Sequence, residues 1–461
     1  MTNYQAGQVI QVTTVDVAHG GWCVARPDDG PVVFVRHALP GETVMARVTD
    51  VTSRLARAEA VDILTQSPDR VEPPCPHAAP GGCGGCDWQH AALPAQRSLK
   101  AAVVRQQLRR LAGLDREVTV EALPGDDDSA PLGSQRLGLG WRTRVQFAVR
   151  PDGVAGLRAH RSHEVVDIGE CLITHPAITD LGLPALRWPA TVSVEAVVAT
   201  GSGERAVIIT PGGAGPGRRP PGRSRDRGGS TPPGPPGADS VLRRAGHRLT
   251  PVRGRTYLSQ RAAGRDWRVS AGVFWQVHPS AADVLTEAVM TALEPRPGDV
   301  ALDLYCGAGL FAGALAPAVG PGGAVVGVEA DAAAVRDARH NLREWPWARV
   351  HKGDVGAVLR RSGPPGAESA ALPAARLVVA DPPRAGLARE VIDYLSTAEH
   401  GAARFAYVSC DPATLARDIG LLVTGGWALE DLRAFDAFPM THHVECVATL
   451  VKASAKAARP G

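Results

Sequence analysis

The C-terminal part of the chain, from about residue 280, alternates short apolar segments with longer segments of helical pattern. Alternation of this kind builds a mostly parallel sheet with helices on both faces, and ligands bind in the crevice at the carboxyl ends of its strands. It predicts a doubly wound, Rossmann-like α/β domain over residues 266–461. The predicted strands are 300–304, 324–328, 349–352, 377–380 and 405–408.

The preceding residues predict further domains, since a chain of 461 residues exceeds what one hydrophobic core supports. Short alternating stretches separated by turn residues predict a small OB-like β-barrel over residues 1–64. Residues 65–265 are predicted to form a central α+β domain. Its segment 93–114 has the pattern of an amphipathic helix that can pack on the C-terminal domain. Residues 211–240, which are mainly Gly, Pro, Arg and Ser, predict a disordered insertion.

Positive charge is concentrated in the central domain. Residues 65–265 hold 27 lysines and arginines against 18 acidic residues, whereas both flanking regions hold more acids than bases. A basic region between mildly acidic ends is typical of a protein that binds a polyanion, although a solvated arginine-rich surface gives the same count. The candidate contact residues are Arg97, Lys100, Arg105, Arg109 and Arg110 on the helix, with Arg142 and Arg144 on a predicted strand.

The N-terminus and the cysteines indicate the cellular compartment. Residues 1–5 have neither the basic start nor the apolar stretch of a signal peptide, and no apolar run is long enough to span a bilayer. We therefore expect a cytoplasmic, reducing location. Eight cysteines in such a location are more typical of ligands or nucleophiles than of disulfides.

A glycine-containing turn after the first strand predicts a nucleoside-cofactor site. Gly307 and Gly309 allow a ligand to approach the backbone, and Glu329 follows the next strand at the place where an acid accepts ribose hydroxyls. Asp303 before the turn would repel a pyrophosphate, which favours S-adenosylmethionine over a dinucleotide. Asp354 after the third strand fits an acid near the adenine, or equally a helix N-cap.

Three residues near strand ends predict the reacting groups. Cys410 directly follows the fifth strand and precedes a turn at Asp411, so its thiol is displayed rather than packed. Asp381 ends the fourth strand, and Glu445 lies within a segment, 444–451, that has a strand pattern. A carboxyl group in such a place is costly unless it is solvated or used.

A thiol, a carboxyl group and a methyl donor together suggest covalent catalysis on a pyrimidine. The Cys410 thiolate would add to C6 of uracil, C5 would take the methyl group, and Glu445 would remove the C5 proton. This chemistry requires a thiolate, so we expect a lowered pKa for Cys410. The structural alternative for Cys410 is a small buried hydrophobic residue.

The chain resembles the RNA uracil-5-methyltransferase family. The blocks that carry the resemblance are Phe274-Trp275-Gln276-Val277, Asp303 to Phe311, Val328-Glu329, Asp381 to Gly386, Ser409 to Asp418 and His443-Val444-Glu445. The barrel is similar to the TRAM domain that many members carry. The resemblance implies that S-adenosylmethionine is bound by Gln276, Tyr305, Glu329 and Asp381, that Cys410 is the nucleophile and that Glu445 is the base. Leu310 departs from the family, in which an Asn often contacts the cofactor.

A cysteine cluster predicts a metal site in the central domain. Cys75, Cys83 and Cys86 lie in one glycine-rich loop, and Cys171 is available as a fourth thiolate. Four thiolates suit either zinc or an iron–sulfur cluster, and their spacing does not choose between the two. Similarity to the cysteine loop of the family favours a [4Fe–4S] cluster with a structural role.

The resemblance implies a monomeric enzyme that forms 5-methyluridine in RNA. The barrel and the cysteine loop favour 23S ribosomal RNA, and transfer RNA is the alternative substrate. A cytosine-5-methyltransferase also uses a thiol, but we expect it to lack the Asp411-Pro412 turn and the distant Glu445. A more distant alternative is a non-catalytic RNA-binding or assembly protein with the same fold.

Overall fold

The N-terminal region forms a closed barrel of five strands in the order β1-β2-β3-β5-β4. The computed structural model describes residues 4–28, 30–126, 137–212, 234–361, 372–397 and 400–452. Alternate apolar side chains fill the barrel interior, as in Val33, Val35, Val44 and Ala46. The predicted barrel is confirmed, and its short strand β2 is wholly buried. The strands are β1 (Val9–Ala18), β2 (Trp22–Ala25), β3 (Val32–Arg36), β4 (Thr43–Val51) and β5 (Leu55–Thr65).

A helix connects the barrel to the C-terminal domain. Helix α1 (Leu93–Gln107) begins with Pro94 in its first turn and ends in a π-type turn, Leu108–Ala112. One side of α1 packs into the C-terminal core through Ala101 and Val104, and another packs against the barrel through Val103. The following strand, β6 (Val120–Ala122), joins the C-terminal sheet although it lies within the range predicted for the central domain.

The position of Lys100 contradicts one part of the prediction that α1 has a basic, RNA-binding face. Lys100 is fully buried, and its ammonium group pairs with Asp436. Lys100 therefore joins α1 to the C-terminal domain and is not available to a polyanion.

The central region is a seven-stranded sheet in the order β13-β12-β11-β10-β7-β8-β9. The guanidinium of Arg144 donates to Glu195 and to the carbonyl oxygens of Ala271 and Val273, so the predicted phosphate contact of Arg144 is wrong. The predicted insertion at 211–240 lies mostly outside the described residues. The elements are β7 (Arg144–Val149), β8 (Ala155–Arg158), β9 (Val165–Val166), α2 (Pro176–Thr179), a 3-10 turn (Leu183–Ala185), β10 (Thr191–Val198), β11 (Arg205–Pro211), β12 (Ser240–Ala245) and β13 (Arg248–Arg253).

A two-stranded hairpin joins the central sheet to the C-terminal domain. Its strands are β14 (Tyr257–Ala262) and β15 (Arg265–Ser270). Trp267 in β15 is completely buried and packs into the C-terminal core, where its indole N–H donates to the carbonyl oxygen of Ala262. The hairpin therefore belongs to the C-terminal domain by its packing.

The C-terminal domain is an eight-stranded sheet in the order β18-β17-β16-β19-β20-β22-β21-β6, with helices on both faces. All five predicted strands are present, and the α/β class is confirmed. The elements are α3 (Ala281–Leu293), β16 (Val300–Leu304), α4 (Leu310–Val319), β17 (Ala324–Glu329), α5 (Ala332–Asn341), β18 (Ala348–Lys352), α6 (Val355–Arg361), β19 (Leu377–Ala380), α7 (Arg389–Ser396), β20 (Arg404–Ser409), α8 (Pro412–Thr424), β21 (Trp427–Asp436) and β22 (Glu445–Lys452).

Strand direction in this sheet decides which residues meet. The strands from β18 to β20 are parallel, whereas β22 runs antiparallel to both of its neighbours, β20 and β21. The first residue of β22 therefore lies at the same edge as the last residue of β20. Among the described helices, none is both long and apolar enough to cross a bilayer.

Candidate active site

Four parallel strands of the C-terminal sheet end side by side. Leu304 of β16 pairs with Val328 of β17 and with Ala380 of β19, and Ala380 pairs with Tyr407 of β20. The residues at the carboxyl ends of these strands therefore meet at one edge, where open α/β sheets bind ligands. They include Tyr305, Glu329, Asp381 and Cys410.

Cys410 and Glu445 lie at neighbouring positions of two antiparallel strands. Ser409 in β20 pairs with Cys446 in β22, so the next position toward the edge brings Cys410 opposite Glu445. The negative charge of Glu445 raises the pKa of the Cys410 thiol, which agrees with this closeness. The fold thus brings together the two residues that the sequence proposes as nucleophile and base.

The Cys410 thiol is more protonated than we expected. Burial raises its pKa to about 12, the carboxylates of Glu445, Asp381 and Asp411 add to the effect, and the Arg384 guanidinium opposes it. The expectation of a lowered pKa is therefore wrong. The physical reason is that the thiol is surrounded mainly by acids in a partly dry crevice.

The carboxyl groups of the crevice also favour protonation. Burial raises the pKa of Glu445 well above its usual range, Asp381 raises it further, and Arg384 opposes the shift. Burial raises the pKa of Asp381 to about 7. Two neighbouring carboxyl groups in a partly dry site resist ionising together. Glu445 is consequently a strong proton acceptor once it is ionised.

The glycine turn is held in place by the acid of the next strand. Gly307 N–H donates to Glu329 Oε2 at 3.0 Å, and Asp331 N–H donates to Glu329 Oε1 at 2.7 Å. Gly307 and Gly309 have φ of 54° and 91°, so both positions favour glycine. Glu329 thus lies against the turn, as expected of a residue that binds ribose there.

Asp303 is a buried carboxyl group beneath this turn. Its Oδ2 accepts a hydrogen bond from Ala312 N–H at 2.8 Å, at the start of α4. Its Oδ1 has no hydrogen-bond partner among the described residues, and burial raises its pKa to about 8. An acid at this position suits a ligand that brings positive charge or donors, and it disfavours a phosphate.

Tyr305 and Asp354 follow strands β16 and β18 at this edge, and their contacts and that of Gln276 with the cofactor stay predictions. Tyr305 has a φ of 64°, a strained conformation of the kind found at ligand sites, and its hydroxyl accepts from Ala388 N–H at 3.5 Å. Gln276 is buried. Asp354 is exposed, and its Oδ1 accepts from Ala357 N–H at 2.9 Å at the start of α6. Asp354 therefore acts as a helix cap, and its contact with adenine stays a prediction.

The segment between β21 and Glu445 is held by α1. Lys100 Nζ donates to Asp436 Oδ1 at 2.5 Å and to the carbonyl oxygen of Phe438 at 3.0 Å. Gln96 accepts from Met440 N–H at 2.8 Å, and Met440 has a φ of 68°. These contacts fix a strained connection that leads directly to Glu445.

Sequence reasoning missed several residues that contact this site. Arg384 is the cation beside Cys410 and Glu445, and its guanidinium lies 3.2 Å from His443 Nε2. Arg384 was visible in the strand-end turn that it shares with Asp381. No sequence pattern pointed to His19 or Asp87, because their partners, Asp411 and His442, lie more than 300 residues away in the sequence.

The cysteines of the predicted metal site are free thiols near one another. Burial raises the pKa of Cys75, Cys83 and Cys86, and each is raised further by the charge of Cys171. The donor set therefore fits a thiolate-bound cluster in its chemistry. Among the described residues, however, no group of three or more His, Cys, Asp or Glu side chains is arranged to hold a metal ion.

Comparisons with known proteins agree with the geometry of the crevice. The family model described as tRNA (uracil-5-)-methyltransferase matches residues 373–453, which contain Asp381, Cys410 and Glu445, and the TRAM domain model matches residues 4–61. An uncharacterized RNA methyltransferase of Streptomyces avermitilis is 50% identical over 97% of this chain and 99% of its own length. The chain belongs to the RNA uracil-5-methyltransferase family.

Further relatives extend over nearly the whole methyltransferase. An uncharacterized RNA methyltransferase of Bifidobacterium longum is 34% identical and covers 94% of this chain and 95% of its own length. The structure of a tRNA (uracil-54, C5)-methyltransferase of Pyrococcus abyssi, in complex with S-adenosyl-L-homocysteine, has a TM-score of 0.65 at 22% identity and covers 96% of this chain and all of that one. It shows the same fold.

This RNA uracil-5-methyltransferase uses S-adenosylmethionine, and its crevice fits that cofactor. The glycine turn leaves room at the backbone, Glu329 is aligned against it, and Asp303 retains a buried oxygen without a hydrogen-bond partner among the described residues.

Proposed function

We propose that the protein methylates C5 of uridine in RNA by a covalent mechanism, with Cys410 as nucleophile and Glu445 as base. The observation that carries the proposal is the register of β20 and β22, which sets these two residues opposite each other at the cofactor edge. A thiol and a carboxyl group so placed, beside a site for a methyl donor, match the requirements of this reaction.

The reaction begins with a bond from Cys410 Sγ to C6 of the uracil. The C5=C6 double bond opens, and its electron pair gives C5 the character of an enolate carbon. Bound S-adenosylmethionine would supply an electrophilic methyl group, which C5 would accept as the bond between the methyl group and the sulfonium breaks and S-adenosylhomocysteine leaves. Glu445 then removes the proton from C5, the double bond forms again, and the C6–S bond breaks to release Cys410.

The charges around the crevice assign a role to Arg384. The Cys410 proton has to leave for the bond to C6 to form, and Arg384 is a neighbouring cation that favours the thiolate. The raised pKa of Glu445 makes its carboxylate a better acceptor for the C5 proton. Burial is the main cause of that raised pKa, and the charge of Asp381 adds to it.

The target base has to leave its stack to reach Cys410. Phe274 is 64% exposed and belongs to the same segment as the buried Gln276, so it offers an aromatic face to a flipped base. The exposed arginines of the α1 region and the TRAM barrel provide the surrounding RNA surface. The proposed substrate is 23S ribosomal RNA, with transfer RNA as the second candidate because the matching family model is named for tRNA.

The proposal includes a [4Fe–4S] cluster. Cys75, Cys83, Cys86 and Cys171 would hold it, since their thiols lie close enough to influence one another. A structural role agrees with the packing of Cys86 and Cys171, which lie among Trp141, Ile173 and Met440. The proposed working form is a cytoplasmic monomer.

The test uses anaerobically purified protein, methyl-labelled S-adenosylmethionine and RNA from cells that lack the gene. Nucleoside mass spectrometry of separated ribosomal and transfer RNA is expected to show label in 5-methyluridine of the ribosomal fraction. Label in the transfer RNA fraction would show that transfer RNA is the substrate. Label in 5-methylcytidine would overturn the proposal that uridine is the target. Iron and sulfide analysis of the same sample tests the cluster, with four of each expected per chain.

A further inference from the structure

The TRAM barrel reaches the nucleophile through one histidine. His19 lies in the turn between β1 and β2, and its Nε2 is 3.1 Å from Asp411 Oδ2. The other oxygen of Asp411, Oδ1, accepts from the N–H groups of Ala413 and Thr414 at 3.0 and 2.9 Å, which caps α8. Asp411 directly follows Cys410, so the contact fixes the turn that carries the thiol.

The cysteine loop reaches the base through one carboxylate. Asp87 Oδ2 accepts from the backbone N–H of His442 at 3.2 Å and lies 2.6 Å from His442 Nδ1. Its other oxygen, Oδ1, accepts from Arg36 of the barrel at 3.3 Å. Asp87 and Arg36 are both buried. His442 stands three residues before Glu445, so this contact fixes the segment that leads to the base.

We propose that the barrel and the cysteine loop are positioning elements of the catalytic machinery, and that His19 and Asp87 are positioning residues. His19 holds the turn of Cys410 through Asp411, and Asp87 holds the segment of Glu445 through His442. The inference rests on the proposed function of Cys410 and Glu445. It gives the barrel a role beyond RNA affinity, because a region that binds RNA also sets the geometry of the two reacting groups.

The position of these contacts argues against a purely structural role. The contacts of His19 and Asp87 are made with the segments next to Cys410 and Glu445, and they lie outside the hydrophobic cores of the domains. Each contact joins elements that are far apart in sequence. The side chain of His19 is 38% exposed, so its contact with Asp411 adds little to global stability. Its effect is expected in the placement of the thiol.

The first experiment separates positioning from RNA contact at His19. RNA that carries 5-fluorouridine at the target traps the enzyme after methyl transfer, since fluorine cannot leave as a proton, so the adduct rate reports the steps up to that point. With saturating RNA and S-adenosylmethionine, His19→Ala is expected to lower this rate about tenfold while the RNA Kd changes less than twofold. His19→Gln, which keeps a donor near the position of Nε2, is expected to restore most of the rate.

A matched control and two outcomes decide the inference for His19. The exposed His163 on the central domain provides the control, and His163→Ala is expected to leave both rate and Kd unchanged. An unchanged adduct rate in His19→Ala, or an effect confined to the RNA Kd, would overturn the positioning role. Absence of any adduct with the wild-type protein would instead contradict the proposed function.

The second experiment tests whether the contact between Asp87 and His442 positions Glu445. On RNA with ordinary uridine, His442→Ala is expected to leave adduct formation within about threefold but to slow product release about tenfold, so that methylated covalent complex accumulates. His442→Asn, which keeps an N–H near the position of Nδ1, is expected to release product faster than His442→Ala. If His442→Ala slowed adduct formation and product release equally, or if no methylated covalent complex accumulated, the positioning role of the contact between Asp87 and His442 would be overturned.

Discussion

Removal of the Lys100 ammonium is expected to destabilise the protein more than any loss of an exposed charge on the same helix. Lys100 is fully buried, and its Nζ donates to Asp436 Oδ1 at 2.5 Å and to the carbonyl oxygen of Phe438 at 3.0 Å. Lys100→Met keeps the length of the side chain but leaves Asp436, which is 2% exposed, without its cation. Breaking one partner of such a buried pair costs about 3–5 kcal/mol of unfolding free energy.

Urea denaturation followed by tryptophan fluorescence measures this loss. Arg105→Met is the matched control, because Arg105 lies on the same helix in an exposed pair with Glu117, and its cost is expected to stay below about 1 kcal/mol. The double variant Lys100→Met with Asp436→Leu is expected to recover most of the stability, since no buried charge is then left unpaired. A single variant that costs less than about 1 kcal/mol, or a double variant less stable than the single one, would refute the reasoning.

Five further predictions follow from the site and the fold. Cys410→Ala is expected to lose methylation activity but to bind S-adenosylmethionine normally, as measured by calorimetry. Glu445→Gln is expected to remain covalently attached to methylated RNA, in an adduct that survives denaturing electrophoresis. Because burial raises the pKa of Cys410 to about 12, the thiolate fraction rises about tenfold per pH unit below that value, so the adduct rate should increase from about pH 7 to 9; a falling rate would contradict this. Asp331→Ala is expected to cost about 0.5–2 kcal/mol in urea denaturation, since Asp331 caps α5 through Ala333 and Ala334 N–H. Deletion of residues 213–233 is expected to leave activity largely intact, and a large loss of RNA affinity at fixed salt would show that these arginines bind RNA.

The sequence predicted most of the C-terminal sheet, because the strands that it predicted carry a local signal. The segments that became β16, β17, β18, β19 and β20 are short, apolar and bounded by turns, so their pattern needs no tertiary information. Strand β6 was missed because three residues at a sheet edge have no periodicity to read. Its membership in the C-terminal sheet depends on pairing with β21, more than 300 residues away.

Charge was the least reliable guide to position. Lys100 and Arg144 were both interpreted as parts of a polyanion surface, and both are occupied inside the protein by Asp436 and Glu195. A count of basic residues does not separate those that face solvent from those that pair internally. The pKa of Cys410 was missed for the same reason, because it depends on which charges surround the thiol and how dry the site is.

Local sequence patterns were enough to identify the residues available for catalysis and the strands and turns that carry them. Cys410, Asp381 and Glu445 were identifiable because strand ends and turns are local features. The folded structure was needed to show that β22 runs antiparallel to β20, which sets Glu445 opposite Cys410. It was also needed to show that His19 and Asp87 contact the segments next to these residues. Contacts between residues distant in sequence depend on how the domains pack, and no local pattern in the chain encodes that packing.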